Sequence, residues 1–193
     1  MGEAKARLDR LRQTFADSAM RWMFTRAAWE DRAVAEILAC PTEVAYRADP
    51  ATLRSLGLPE RDCHSNAERY ADARTDAAAR AVLGWWRQAN VLVLHSVVEI
   101  RGRLICVTPS DVDPSPQLPF IRDPRLVWES DAEGRFCRRD GHRIGPGLRI
   151  DPDQVIADTA LILSRLQSGM NPYEAVKIAI GSGSARATGS RRR

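Results

Sequence analysis

No two cysteines in this chain are spaced as Cys-x-x-Cys, and the four present, Cys40, Cys63, Cys106 and Cys137, lie far apart. That spacing argues against a disulfide framework and against a zinc-finger module, so each thiol is judged singly. Nor does any run approach the roughly 18 apolar residues of a membrane span. The first residues, Met1-Gly2-Glu3-Ala4-Lys5-Ala6-Arg7, lead into a charged helical segment and not into an apolar signal core. The expectation is a cytoplasmic protein with no membrane contact. A basic face is missing too. The formal charge of +4 is carried by Gly181–Arg193, which holds Arg186, Arg191, Arg192 and Arg193 and no acid, and the remainder has 25 residues of each sign. A balanced body offers no groove for phosphates, so nucleic acid is expected to touch the protein only weakly, through this tail. With no apolar residue larger than alanine, the tail at 181–193 is expected to be disordered and dispensable for folding.

What remains is ordinary for one globular domain: 193 residues, 44% hydrophobic and 28% charged. That domain is expected to span 1–180. Residues 1–39 show helical periodicity in Leu8, Leu11, Phe15, Trp22, Met23, Ala27 and Val34, contain no proline, and have a break near Asp17-Ser18. Pro41 ends the segment. Thr42 to Pro59 reads as irregular, with a short helix near Ala51 to Leu56. Asp62 to about Leu83 reads as helix, stopped by Gly84 before Trp85-Trp86. Val91–Ile100 and Arg103–Thr108 flank a turn at Arg101-Gly102 and make a hairpin. Short strands follow at Leu118–Arg122, Leu126–Glu129 and Phe136–Arg139. Asp151 with Pro152 opens a helix to Gln167, and Asn171-Pro172 opens another, which gives C-terminal helices over 151–180. Helices flanking a central meander of antiparallel strands define an α+β fold.

The residues fit for chemistry lie between 62 and 128. Cys63 opens a helix, where unpaired backbone N–H groups and positive partial charge favour thiolate over thiol. His95 follows in a strand that can hold an imidazole rigidly as its base. Trp85 and Trp86 offer flat contact surface for a substrate, although at least one of them suits a core better. His64 leaves the helix at another angle and reads as a cap or surface residue, and His142 as exposed. Cys63, His64, His95 and Cys106 together are four candidate zinc ligands, a minor alternative because adjacent residues rarely face one metal. Cys40 and Cys137 read as packing residues.

Taken in order, Cys63 with Asn66, Gly84 with Trp85, His95 with Ser96 and Val97, Gly102, Thr108 with Pro109, and Phe120 with Asp123 resemble the pattern of a bacterial protein family. This pattern is in turn similar to the compact papain-like thiol hydrolases of the NlpC/P60 type. The resemblance covers about Cys63 to Trp128. It implies a papain-like arrangement, a hydrolase or acyltransferase acting on an amide or acyl bond through Cys63 and His95, a peptide or protein as substrate or partner, and no cofactor. Trp85, Trp86 and Thr108 are the candidate substrate-binding residues. One departure stands out: Cys106 occupies the place, two residues before Thr-Pro, where an acidic group would orient the imidazole. Asp123 and Asn66 are the first replacements, with Thr108, Asp111 and Asp113 behind them. That departure also supports the alternative function, a non-catalytic papain-like scaffold that binds a protein or peptide, in a phage or mobile-element setting.

Overall fold

The computed structural model describes residues 2–74, 78–110 and 115–177; the basic tail, Asp111 and Asp113 lie outside the described residues. The described residues group into two compact units, 2–27 with 151–177, and Ala28–Ile150. In chain order the elements are α1 (Gly2–Met20), α2 (Ala28–Leu38), β1 (Glu43–Arg47), α3 (Pro50–Ser55), α4 (Cys63–Asp72), β2 (Ala79–Gln88), β3 (Val91–Ile100), β4 (Arg103–Cys106), β5 (Gln117–Arg122), β6 (Leu126–Asp131), β7 (Gly134–Arg139), β8 (His142–Ile144), β9 (Gly147–Arg149) and α5 (Pro152–Gln167).

The first unit is helical. Asp151 caps α5 as its sequence promises, its Oδ1 accepting the Gln154 amide at 3.0 Å, with Pro152 in the first turn. Phe15 of α1, Leu166 of α5 and Ala175 form its core, and Phe15 meets Tyr173 edge to face at 5.3 Å. The break expected near Asp17-Ser18 falls later, because α1 runs unbroken to Met20.

In the second unit the meander expected from the sequence is a closed barrel. β2, β3, β4, β1 and β5 follow one another around it, and β5 returns to β2. Every contact in the ring is antiparallel except β1 with β4. β9 adds to β3 outside the ring, and β6, β7 and β8 form a separate three-stranded sheet. Two sequence expectations are corrected here. The helix opened by Cys63 ends at Asp72, and 79–88 is a strand paired with β3 along ten residues. The stretch after Pro41, taken as irregular, contains β1, although the short helix near Ala51 is present as α3.

Gly84 does not stop a helix. It lies in β2 opposite His95 of β3 on one side and Arg122 of β5 on the other, where the ring closes. A Cβ there would overlap the Ile121 carbonyl oxygen and come within 2.5 Å of the Phe120 ring, so only glycine allows β5 to approach this closely.

Alternation along β3 separates two environments. Val97 faces the barrel interior with Ala45, Leu104, Cys106, Leu118 and Phe120. Leu92 and Leu94, on the opposite face, pack under Ala33, Val34 and Ile37 of α2, while Val98 packs under Ala67 and Ala71 of α4. α2 is further tied to β9 by a fully buried ion pair. Glu30 Oε2 accepts Arg149 Nη2 at 2.8 Å, and its Oε1 accepts the Arg149 amide at 2.9 Å and Nε at 3.1 Å.

Candidate active site

β3 pairs with β9 through Val91–Val93 and with β4 through Val98–Ile100, so its outer edge between those stretches is free of strand partners. The N-terminus of α4 fills that gap. Packing of Ala67 and Ala71 against Val98 sets the helix on the sheet, and Cys63, at the first helical position, receives a hydrogen bond from the Ser96 amide on its sulfur. His64 Nδ1 hydrogen-bonds Ser96 Oγ at 2.7 Å, and its ring stands edge-on to Trp128 at 4.8 Å. Ser96 thus fastens both residues to the strand. The side chain of Asp62, the residue before the helix, makes no capping bond, and the first intrahelical bond runs from the Asn66 amide to the Asp62 carbonyl. The amides of the first turn are therefore available as donors.

His95 is 4% exposed and lies on the same face of β3 as Val97. Its Nε2 is 3.3 Å from Cys106 Sγ, and its ring rests at a tilt against Trp86, 5.5 Å between centroids. Arg47 of β1, opposite Cys106 in register, places Nη1 3.8 Å from the same sulfur and its guanidinium over Trp86. Cys63, His95 and Cys106 thus converge from a helix and two strands. Among the described residues no hydrogen bond joins Cys63 directly to His95; the link between them is the Ser96 amide, one residue along β3.

Burial governs the charges. It pushes the Cys63 thiol up to about 11, with the neighbouring Cys106 and Asp62 acting the same way and the Ser96 amide and the residue's own amide acting against it. The lowering that a helix N-terminus promises is therefore overridden by desolvation. Burial likewise pushes His95 down to about 3, helped by His64 and Arg47, and His64 down to about 4, helped by Arg135. At neutral pH the structure holds a neutral thiol beside neutral imidazoles.

The other residues singled out in the sequence are placed as follows. Asp123 is buried, and its carboxylate accepts Trp85 Nε1 and Arg139 Nε, each at 2.8 Å, and the Arg125 amide at 3.1 Å. Asn66 is fully buried, its Nδ2 donating to the Pro59 carbonyl at 2.7 Å and its Oδ1 unpartnered. Among the described residues neither hydrogen-bonds His95, whose Nε2 meets Cys106 Sγ instead. Trp85 has no exposed surface and belongs to the core under α2, whereas Trp86 borders the imidazole. Thr108 lies beside the site with its carbonyl 3.4 Å from Arg47 Nη1 and its buried hydroxyl unpartnered. His64 is not a surface residue, and sequence reasoning missed its bond to Ser96; a histidine adjoining the first helical residue and facing a strand serine three decades of residues away leaves no local signal. His142 stacks flat on Trp29 at 4.5 Å. Among the described residues no group of three or more His, Cys, Asp or Glu is arranged to hold a metal ion, so the four-ligand zinc set is not assembled. Among the described residues no helix is long and apolar enough to cross a membrane.

No protein-family model, curated protein or solved structure matches the chain.

Proposed function

We propose that the protein is a thiol hydrolase or acyltransferase acting on an amide or related acyl bond of a peptide or protein. The observation that carries this reading is the fixing of Cys63, at the head of α4, to β3 beside His95 through the Ser96 amide. In the reaction, Cys63 Sγ bonds to the acyl carbon as its proton passes to a nitrogen of neutral His95. First-turn amides of α4 donate to the carbonyl oxygen as it becomes an oxyanion. The imidazolium returns the proton to the leaving amine, and water or another acceptor cleaves the thioester. Because burial keeps the thiol protonated, the proton moves during attack and not before it.

The test is labelling by a peptidyl acyloxymethyl ketone followed by mass spectrometry. Cys63 is expected to react in the native protein and to lose about a hundredfold or more in rate in His95→Ala, the low end of what a base acting in the transition state contributes. Equal rates in both proteins would reduce Cys63 to a packing thiol.

A second reading, a binding module on the same scaffold, is favoured by the burial of both groups in their neutral forms. It requires that Cys63→Ser leave peptide or protein binding unchanged.

A further inference from the structure

Three of the groups around Cys106 have distinct hydrogen-bonding roles. Arg47 Nη1, at 3.8 Å, can only donate to the sulfur, and the Thr108 carbonyl, at 4.0 Å, can only accept from it. His95 Nε2, at 3.3 Å, can do either, depending on its tautomer. A thiol has one proton. If that proton goes to the Thr108 carbonyl, the sulfur lone pairs receive Arg47 and an Nε2–H, and all three contacts are satisfied. If the thiol donates to Nε2 instead, the Thr108 carbonyl loses its sulfur donor, and the ring proton moves to Nδ1.

From this arrangement we infer that Cys106 is a positioning residue for His95: it holds the ring through Nε2–H and leaves Nδ1 unprotonated, the form able to accept a proton. The inference rests on the reading of His95 as the base of Cys63. Nδ1 has no hydrogen-bond partner among the described residues, so its lone pair is not spent elsewhere. Cys106 acts through the imidazole and does not touch the reacting bond. A thiol differs from a carboxylate in this place because it fixes the tautomer without a charge that would hold the ring as imidazolium. The packing agrees with the role: Cys106 has no exposed surface and Arg47 of β1 sits beside it, so the sulfur cannot turn away from the ring without moving a wall of the barrel.

The experiment is long-range proton–nitrogen correlation spectroscopy on the nitrogen-15-labelled full chain, which has three histidines. His95 is identified by its disappearance in His95→Gln. In the native protein its ring is expected as the Nε2–H tautomer, in Cys106→Ser likewise, since a hydroxyl can accept the same bond, and in Cys106→Val as a mixture with a substantial Nδ1–H share. Labelling of Cys63 by the ketone should slow about tenfold in Cys106→Val and recover in Cys106→Ser, the scale of one neutral hydrogen bond. An Nδ1–H tautomer in the native protein, or a tautomer unchanged in a folded Cys106→Val, overturns the inference. If the valine variant does not fold, the native tautomer decides alone. Because the tautomer is read without any reaction, a correct tautomer with an inert Cys63 would sink the hydrolase reading and leave the positioning contact standing.

Discussion

Replacing Glu30 by alanine should be among the most damaging single changes in the Ala28–Ile150 unit. Glu30 and Arg149 are both 0% exposed, and the carboxylate accepts three bonds from one residue, its amide, Nε and Nη2. Removal takes the carboxylate away from a guanidinium and a backbone N–H that have no exposed surface. Breaking a buried pair on one side costs about 3–5 kcal/mol, because the remaining charge keeps its desolvation penalty without its partner. For a chain of this size each kcal/mol corresponds to about 2–4 °C, so the melting temperature should fall by roughly 6–20 °C. Glu30→Gln should cost less, since an amide oxygen still accepts. The decisive variant is Glu30→Met with Arg149→Leu: if the single-mutant loss is an orphaned charge, the double variant should recover most of it. Urea unfolding followed by tryptophan fluorescence measures all four proteins. A loss under about 1 kcal/mol in Glu30→Ala, or a double variant no more stable than Glu30→Ala, would refute the reasoning.

Gly84→Ala should destabilise by about 3 kcal/mol or more, since its new methyl meets the β5 backbone as well as the Phe120 ring, and a soluble variant of unchanged melting temperature would show that β5 can withdraw. Asp123→Ala should cost about 2–4 kcal/mol by leaving Trp85 Nε1 and Arg139 Nε without their acceptor, with Asp123→Asn milder, as denaturant titration would show. Stability should also depend on acid through buried His95 and half-buried His64. Both have folded values below the unfolded value near 6.5, so the unfolded chain binds protons first, and stability, complete above about pH 6.5, declines as pH falls toward 4 for His64 and 3 for His95. Melting curves of His64→Gln between pH 4 and 7 should be flatter than those of the native protein, and equal slopes would contradict the burial of His64.

Elements whose signals are local were readable from the sequence. The cap at Asp151, the turn at Arg101-Gly102 and the apolar strand 91–100 each lie within a few residues, and each appears where the sequence puts it. The strand at 79–88 was hidden because Ala79-Arg80-Ala81-Val82-Leu83 carries good helix formers, and its state is decided by ten pairings with β3 that local propensity does not record. β1 shows little because it is five residues long and its buried member is a single alanine, Ala45; its parallel partner lies almost sixty residues away. Barrel closure depends on such distant pairings. At the site, the element types of Cys63 and His95 were legible. The charge state was not, since it depends on how deeply three elements enclose the thiol. Nor was the role of Asp123, whose partners Trp85 and Arg139 sit on strands of two different sheets.

The register between β3 and β4 carries a last implication. Val98 faces Ile105 and Glu99 faces Leu104, which sets Cys106 diagonally across from His95 on the same side of the wall. Side chains alternate with a period of two, so a slip of one residue would turn Cys106 outward and bring in Ile105 or Val107. There is no half-assembled version of this contact. Damage to the hairpin should therefore produce a mixture of molecules with the sulfur–imidazole contact intact and molecules without it, seen as two sets of His95 signals and not as one gradually weakened set.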